Sequence, residues 1–387
     1  MMPELKMTAF DSNQHPAISF EHLDNLFAVH STPYHTHVYT RWCSPFFMRS
    51  NQANTEVVIA IKSVLIVRPN VRLGNNLLLT PLLAELEKKF PRARIDVLTS
   101  SQDAPALFSG FLTVDRVLVF PRHGASHLPE YLNVLRKLLS RHYDLVVDPC
   151  PKYRTSRLYS SLVRAKLRIG FGSDQKPAAA NFFTATISQA PQHMGKYPVY
   201  LVRSVLGASG VQGQSESQAF PNLDIRLSPA EIAAARSILH QLLGEHALHK
   251  PVLGIFTEAT GLKKLSITWW RELICELTTI APELQVLAIA PPGQLTELAE
   301  LAEPGRVYSW QSSDVRQVAA MIEAVGHFVC ADSGVMHLAA STRAKVVGLF
   351  CHTDPLTYSP LSATGSAINP ALGPRQVARA LLSELTS

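Results

Sequence analysis

Residues 330–340 read C-A-D-S-G-V-M-H-L-A-A, an apolar run that stops at Asp332-Ser333-Gly334 and gives way to small residues at helical spacing. A turn of that kind bares the backbone amides of a helix start at a strand's carboxyl end, where an anion such as phosphate binds. Asp332 or Ser333 can cap the helix, Gly334 lets a ligand approach the backbone, and His337 lies one turn in, able to reach back toward a phosphate. Asp332, Ser333, Gly334, Val335, Met336 and His337 are therefore candidate phosphate ligands, although a capped core helix with a buried histidine fits the same residues. A second loop, Arg68 to Asn76, offers Gly74 for close approach to a substrate, and Asn75 and Asn76 to cap a helix or hydrogen-bond a sugar.

Taken with the runs V-L-I-V-R at 64–68, R-L-G-N-N at 72–76, P-L-L-A-E-L at 81–86 and D-L-V-V-D at 144–148, the 330–340 segment resembles the heptosyltransferases of glycosyltransferase family 9. The likeness runs from about Lys62 to the C-terminus. It implies a GT-B fold and transfer of a heptose or similar sugar from a nucleotide-diphosphate donor, ADP-heptose by analogy, to a lipopolysaccharide inner core or another acidic glycan. The family's phosphate loop supplies hydroxyls and a lysine ahead of a Trp-led helix. Thr257, Thr260 and one of Lys263 and Lys264 match it, with Lys264 chosen as nearer to Trp269-Trp270; a solvated loop with two surface lysines is the alternative. The 350–355 run F-C-H-T-D-P resembles another family loop, with Cys351 in place of glycine.

The resemblance breaks at one position. Members usually carry Gly-Asp where this chain has Gly74-Asn75, and that aspartate is their proposed general base. An amide has no useful basicity, while a general base is worth about a hundred- to ten-thousand-fold in rate. Three outcomes follow: another base, with Glu258 and His123 nearest in sequence; transfer by orientation and leaving-group stabilisation alone; or a catalytically impaired protein that binds nucleotide-sugar or glycan without turnover. On the acceptor side, Lys152, Arg154 and Arg157 follow the Asp148 run, and Arg154 is favoured for a two-pronged contact with the carboxylate or phosphate of an acidic sugar such as Kdo.

The composition sets bounds. With 36 basic and 30 acidic residues in 387, the net charge of +6 suits anionic partners but is too mild for a nucleic-acid binder. The five cysteines are scattered without a C-x-x-C pair, so neither a disulfide framework nor a zinc site is expected, and a reducing cytosol fits. No D-x-D or acidic cluster has metal spacing, so neither metal nor cofactor is expected. No apolar stretch is long enough to span a bilayer and no signal peptide is apparent, so the expectation is a cytoplasmic protein, or one at the cytoplasmic face of the inner membrane with basic residues of the first domain on anionic lipid. A nicotinamide enzyme is disfavoured because neither half shows G-x-G-x-x-G after its first strand.

These residues need elements to position them. From Ser63 short β-branched runs alternate with amphipathic ones, predicting strands at 63–67, 94–98, 115–119, 144–148 and 167–169, with helices at 80–90, 102–109, 128–141, 154–165 and 196–208. A second series predicts strands at 251–256, 285–290, 306–309, 327–331 and 346–350, with helices at 268–280, 294–303, 314–325 and 334–342. Ser228-Pro229-Ala230-Glu231 opens a helix over 228–243 with a capping box. The fold class is α/β: two Rossmann-like doubly wound domains facing a central cleft, with ligands at the carboxyl ends of the strands. The expected layout is an extension over 1–60, an acceptor domain over 61–225, a nucleotide-sugar domain over 226–365 and a helix over 366–387 returning to the first domain. An initiation site assigned upstream of a true start at Met48 would leave the same featureless first sixty residues.

Overall fold

In the computed structural model the alternating runs form two largely parallel sheets, each flanked by helices. The structure describes residues 38–40, 61–122, 127–151, 154–172, 183, 185–187, 193–207, 219–244, 250–291, 293 and 305–386. The expected helix at 294–303, His123, Lys152 and nearly all of the extension lie outside them.

The first half runs β1 (Val38–Thr40), β2 (Ser63–Arg68), α1 (Leu73–Leu77), α2 (Thr80–Lys89), β3 (Arg94–Thr99), α3 (Ala104–Phe108), β4 (Val114–Val119), α4 (Leu128–Leu139), β5 (His142–Asp148), α5 (Arg154–Leu162), β6 (Arg164–Phe171), β7 (Ala185–Ile187) and α6 (Tyr197–Gly207). Its sheet has the order β1-β7-β6-β5-β2-β3-β4, parallel except for the antiparallel edge strand β1. The central strands β2, β3 and β5 are buried along nearly their whole length, as near-continuous runs such as V-L-I-V in β2 require, while β4 and β6 are only partly buried. Pro81 sits in the first turn of α2, where its missing N–H costs nothing, so the chain makes two short helices around Leu78-Leu79 instead of one kinked helix.

The second half runs α7 (Pro229–Leu243), β8 (Val252–Phe256), a 3-10 turn (Gly261–Lys263), α8 (Ile267–Ile280), β9 (Gln285–Ala290), β10 (Val307–Gln311), α9 (Val315–Val325), β11 (His327–Ala331), α10 (Gly334–Ala340), β12 (Lys345–Leu349), α11 (Pro355–Tyr358), β13 (Ser366–Ile368) and α12 (Pro374–Thr386). Its sheet is fully parallel, in the order β10-β9-β8-β11-β12-β13. The capping box of α7 forms as expected: Ser228 Oγ accepts from the Glu231 amide at 3.3 Å, and Glu231 Oε2 accepts from the Ser228 amide at 2.7 Å.

The terminal helix corrects an expectation. Val377, Ala378 and Leu381 of α12 join a core cluster with Leu253, Ile255, Trp270, Leu273 and Leu277, so α12 covers the apolar stripe of α8 in the second half and does not return to the first. Strand β13 likewise lies beyond the expected edge of the second domain, and β7 falls where no strand was expected. Three residues are too few to display a two-residue period.

The halves meet closely. A Cβ on Gly74 of α1 would lie 2.8 Å from the His337 ring and 3.5 Å from Gly334 Cα, and one on Gly334 would lie 3.3 Å from the Gly74 nitrogen. Side-chain-free backbone on both sides is what lets α1 and α10 approach. Arg316 of α9 fastens the connecting segment: it pairs with Glu231 at 2.5 Å and donates to the carbonyls of Ala106 in α3 at 3.2 Å, Ile225 at 3.0 Å and Arg226 at 3.1 Å. His193 donates its Nε2–H to the Ser359 carbonyl at 2.7 Å, a further tie from the first half to the second.

Candidate functional site

The carboxyl ends of β8 and β11 bring the two expected phosphate segments together. Asp332 follows β11 and is buried; its Oδ2 receives Lys263 Nζ at 2.7 Å and the hydroxyl of Thr353 from the loop after β12. Lys263 ends the 3-10 turn, which is held by the following helix: Ser266 caps α8 by accepting from the Trp269 amide at 3.1 Å, and Trp270 is fully buried beneath the sheet. A rigid anchor thus fixes the reach of a flexible ammonium arm. Cys351, in the glycine position of the F-C-H-T-D-P run, points its Sγ at the Leu262 carbonyl, 3.5 Å away, and backs the same turn.

Lys264 is turned elsewhere. Its Nζ pairs with Glu258 Oε2 at 3.1 Å, so the ammonium beside Asp332 is that of Lys263. The pairing also occupies the carboxylate considered as a substitute base. Thr257 is buried at the end of β8, whereas Thr260 is exposed at the start of the 3-10 turn.

Neither Asp332 nor Ser333 caps α10 with its side chain. Ser333 occupies the cap position in extended backbone, but its Oγ is buried without a hydrogen-bond partner, and Asp332 is committed to Lys263 and Thr353. His337 Nδ1 is also buried without a partner. Burial holds the His337 imidazole down at about 4, with His193 and Lys263 adding to the effect and Asp332 opposing it. The ring is therefore neutral near pH 7, able to donate from one nitrogen and accept at the other. Val335 is half-buried and Met336 fully buried, so those two contribute backbone at the helix start and not side chains.

Across the interface, Asn75 is locked as an amide. Its Oδ1 accepts from Arg68 Nη2 at 3.1 Å, and its Nδ2 donates to Asn70 Oδ1 at 3.0 Å, an oxygen that also accepts from the Arg72 amide at 2.9 Å. Asn76 is fully buried; it donates to the carbonyls of Asn70 and Arg72 and accepts from Thr99 Oγ1 at 2.7 Å. In this arrangement Asn76 braces the loop and does not line the cleft, and the close approach that Gly74 permits is taken by His337 and Gly334. Behind Arg68, Asp148 is buried at the end of β5, accepting from the Cys150 amide at 3.1 Å and from Ser160 Oγ at 3.4 Å. Burial pushes its carboxyl up to about 7 despite hydrogen bonds and nearby Arg157 and Arg68.

Arg154 opens α5 on the surface, while Arg157 is tied to the Pro151 carbonyl at 3.2 Å. Several other basic residues of the first half are structural: Arg141 pairs with Asp96 at 3.0 Å and Asp115 at 2.6 Å, and Lys166 with Asp144 at 2.8 Å. Sequence reasoning passed over Thr353 as a site residue and preferred Lys264 to Lys263. The first was visible in the F-C-H-T-D-P run; the choice between adjacent lysines depends on which way a 3-10 turn points each side chain.

Residues 131–378 match the model of glycosyltransferase family 9 (heptosyltransferase). The fold is similar to that of E. coli heptosyltransferase WaaC with ADP, at a TM-score of 0.65 and 19% identity over 84% of this chain and 99% of that one. It is also similar to E. coli ADP-heptose lps heptosyltransferase II, at 0.64 and 18% over 84% and 99%. A family 9 glycosyl transferase from Veillonella parvula DSM 2008 gives 0.66 and 15% over 84% and 97%. No curated protein matches the sequence. The α/β architecture, the match over most of the chain and the shared GT-B fold agree: this chain belongs to glycosyltransferase family 9, the heptosyltransferases.

Proposed function

We propose that this glycosyltransferase takes a heptose or similar sugar from a nucleoside diphosphate donor, ADP-heptose by analogy with the ADP-bound relative, and passes it to an acidic, lipid-anchored glycan of the lipopolysaccharide core type. One observation carries the donor side: Ser333 Oγ and His337 Nδ1 are buried without partners beside an Asp332–Lys263–Thr353 cluster at the carboxyl edge of the second sheet. Buried polar atoms without partners are costly, and a bound pyrophosphate would supply acceptors for both donors. On binding, Lys263 would bridge Asp332 and a phosphate oxygen, and its charge together with neutral His337 would stabilise the departing nucleoside diphosphate. No metal enters this scheme; the leaving group's charge is met by the ammonium and hydrogen bonds. Arg154 would orient a carboxylate or phosphate of the acceptor.

The proton of the acceptor hydroxyl has no base at position 75, and Glu258 would have to release Lys264 to serve as one. That observation favours a second reading, a protein of the same fold that binds nucleotide-sugar or glycan without turnover. The test is acceptor-dependent release of nucleoside diphosphate from an ADP-sugar in the presence of a chelator, with Kdo-containing acceptors. Release that persists with chelator supports metal-free transfer; binding of ADP without any release supports the second reading; absence of ADP binding refutes both.

A further inference from the structure

The loop after β12 touches the phosphate cluster twice. Thr353 gives its hydroxyl to Asp332, and two residues earlier Cys351 points its Sγ at two carbonyls of the Gly261–Lys263 turn, Leu262 O at 3.5 Å and Lys263 O at 4.0 Å. These are the terminal carbonyls of a three-residue 3-10 turn. Neither has a partner within it, since the turn's own bond runs from the Lys264 amide to Gly261 O at 3.2 Å. Cys351 is a free, exposed thiol. A thiol is a weak donor, but its long bond from carbon to sulfur lets a short side chain reach from one loop to the other.

The loop that carries Cys351 is fixed on both sides. Phe350 is buried and its amide donates to Ile368 O of β13 at 2.9 Å, while Asp354 caps α11 by accepting from the Leu356 amide at 3.0 Å and from Thr357 Oγ1 at 2.8 Å. The turn packs far less well. A Cβ on Gly261, whose φ is +61°, would meet nothing within 4 Å, and Leu262 is 78% exposed. Apolar burial therefore does little to fix the turn, and polar ties decide where it sits. Lys263 is its last residue and reaches Asp332 at 2.7 Å through a long, flexible arm, so a drift of the turn carries the ammonium away from the carboxylate and from a phosphate beside it.

We propose that Cys351 is a positioning residue for the donor: its thiol clamps the Gly261–Lys263 turn to the loop that also holds Asp332 through Thr353, and so keeps the Lys263 ammonium at the phosphate cluster. The inference rests on the reading that this cluster binds the donor's diphosphate. Glycine, which the family resemblance implies at position 351, has no side-chain atom to make either contact, so this chain places on its lysine arm a restraint that a glycine loop lacks. Cys351 acts through Lys263, and its contribution to nucleotide binding exists only while that lysine does.

Two measurements on the full chain test this. The first is ADP affinity by calorimetry. Cys351→Ala should weaken it by about two- to tenfold, the net worth of one neutral hydrogen bond. Cys351→Ser, which keeps a donor on a shorter arm, should lie nearer the parent than Cys351→Ala does. In a Lys263→Ala background Cys351→Ala should cost nothing further, because the residue it positions is gone. The second is hydrogen exchange by mass spectrometry without nucleotide: peptides covering residues 261–264 should exchange faster in Cys351→Ala and return toward the parent in Cys351→Ser. Position 351 is exposed, and unchanged melting temperatures would show that the variants fold. Unchanged exchange in Cys351→Ala overturns the clamp. Faster exchange with the parent's ADP affinity overturns its role in donor binding, as does an equal loss of affinity in the Lys263→Ala background. If the parent binds no ADP, or Lys263→Ala binds it as tightly as the parent, the donor reading fails, and the exchange measurement alone decides whether the clamp stands.

Discussion

Replacing Asn75 by aspartate would install the residue that the family resemblance implies at this position, yet its surroundings argue against a restored base. The amide works in two directions, accepting from Arg68 at 3.1 Å and donating to Asn70 at 3.0 Å, and the Asn70 oxygen is held as an acceptor by the Arg72 amide at 2.9 Å. A carboxylate would put two acceptors face to face. Relief requires Asn70 to turn its own amide and gives the exposed Arg72 N–H over to water, which forfeits the net worth of one hydrogen bond, about 0.5–1.5 kcal/mol. The charge-assisted bond to buried Arg68 returns about 1.5–3 kcal/mol, so the variant should fold with stability close to that of the parent. The same cation lowers a neighbouring carboxyl by about 1–3 pKa units and occupies one of its oxygens, which blunts it as a proton acceptor. Acceptor-dependent release of nucleoside diphosphate should therefore rise less than about tenfold in Asn75→Asp, and further only when Asn70→Ala removes the facing oxygen. A gain of a hundredfold or more in the single variant would refute this account of the loop.

Lys263→Ala should weaken ADP binding by about 1.5–3 kcal/mol in calorimetry, whereas Lys264→Ala, which releases Glu258, should change it little; the reverse order would move the phosphate contact to Lys264. Burial holds His337 at about 4 against an ordinary 6.5, so unfolding takes up a proton in that interval. Stability from this residue is present above about pH 6.5 and is lost as pH falls toward 4, by on the order of 3 kcal/mol, and His337→Gln should remove that slope in denaturant titrations. Asp148, pushed up to about 7, contributes the opposite slope: the folded state holds its proton more tightly, so its favourable contribution is present below about pH 4 and lost as pH rises through 7, and Asp148→Asn should flatten that side. Gly74→Ala would set a methyl 2.8 Å from the His337 ring, and should cost about 1–3 kcal/mol in thermal stability and weaken ADP binding through displacement of α10.

The elements were legible because their periods are long enough to read. The ten longer strands expected from apolar runs all form, most within a residue or two, and the S-P-A-E box marks the start of α7 because capping is a local matter of four residues. The family resemblance was likewise carried by contiguous residues. Three features lay beyond the sequence. Strands β1, β7 and β13 form because a neighbouring edge pairs with three residues that have no period of their own. Helix α12 went to α8 because an amphipathic stripe states that it must be covered, without naming the surface that covers it. In the site, Asp332 and Asn75 were recognised by type, but their roles depend on partners far along the chain: Lys263 and Thr353 for one, Arg68 and Asn70 for the other. Hydrogen-bond direction and the choice between adjacent lysines are fixed only when loops from different strands share one edge of a sheet, so the sequence determined the chemistry available and the tertiary structure decided which groups meet.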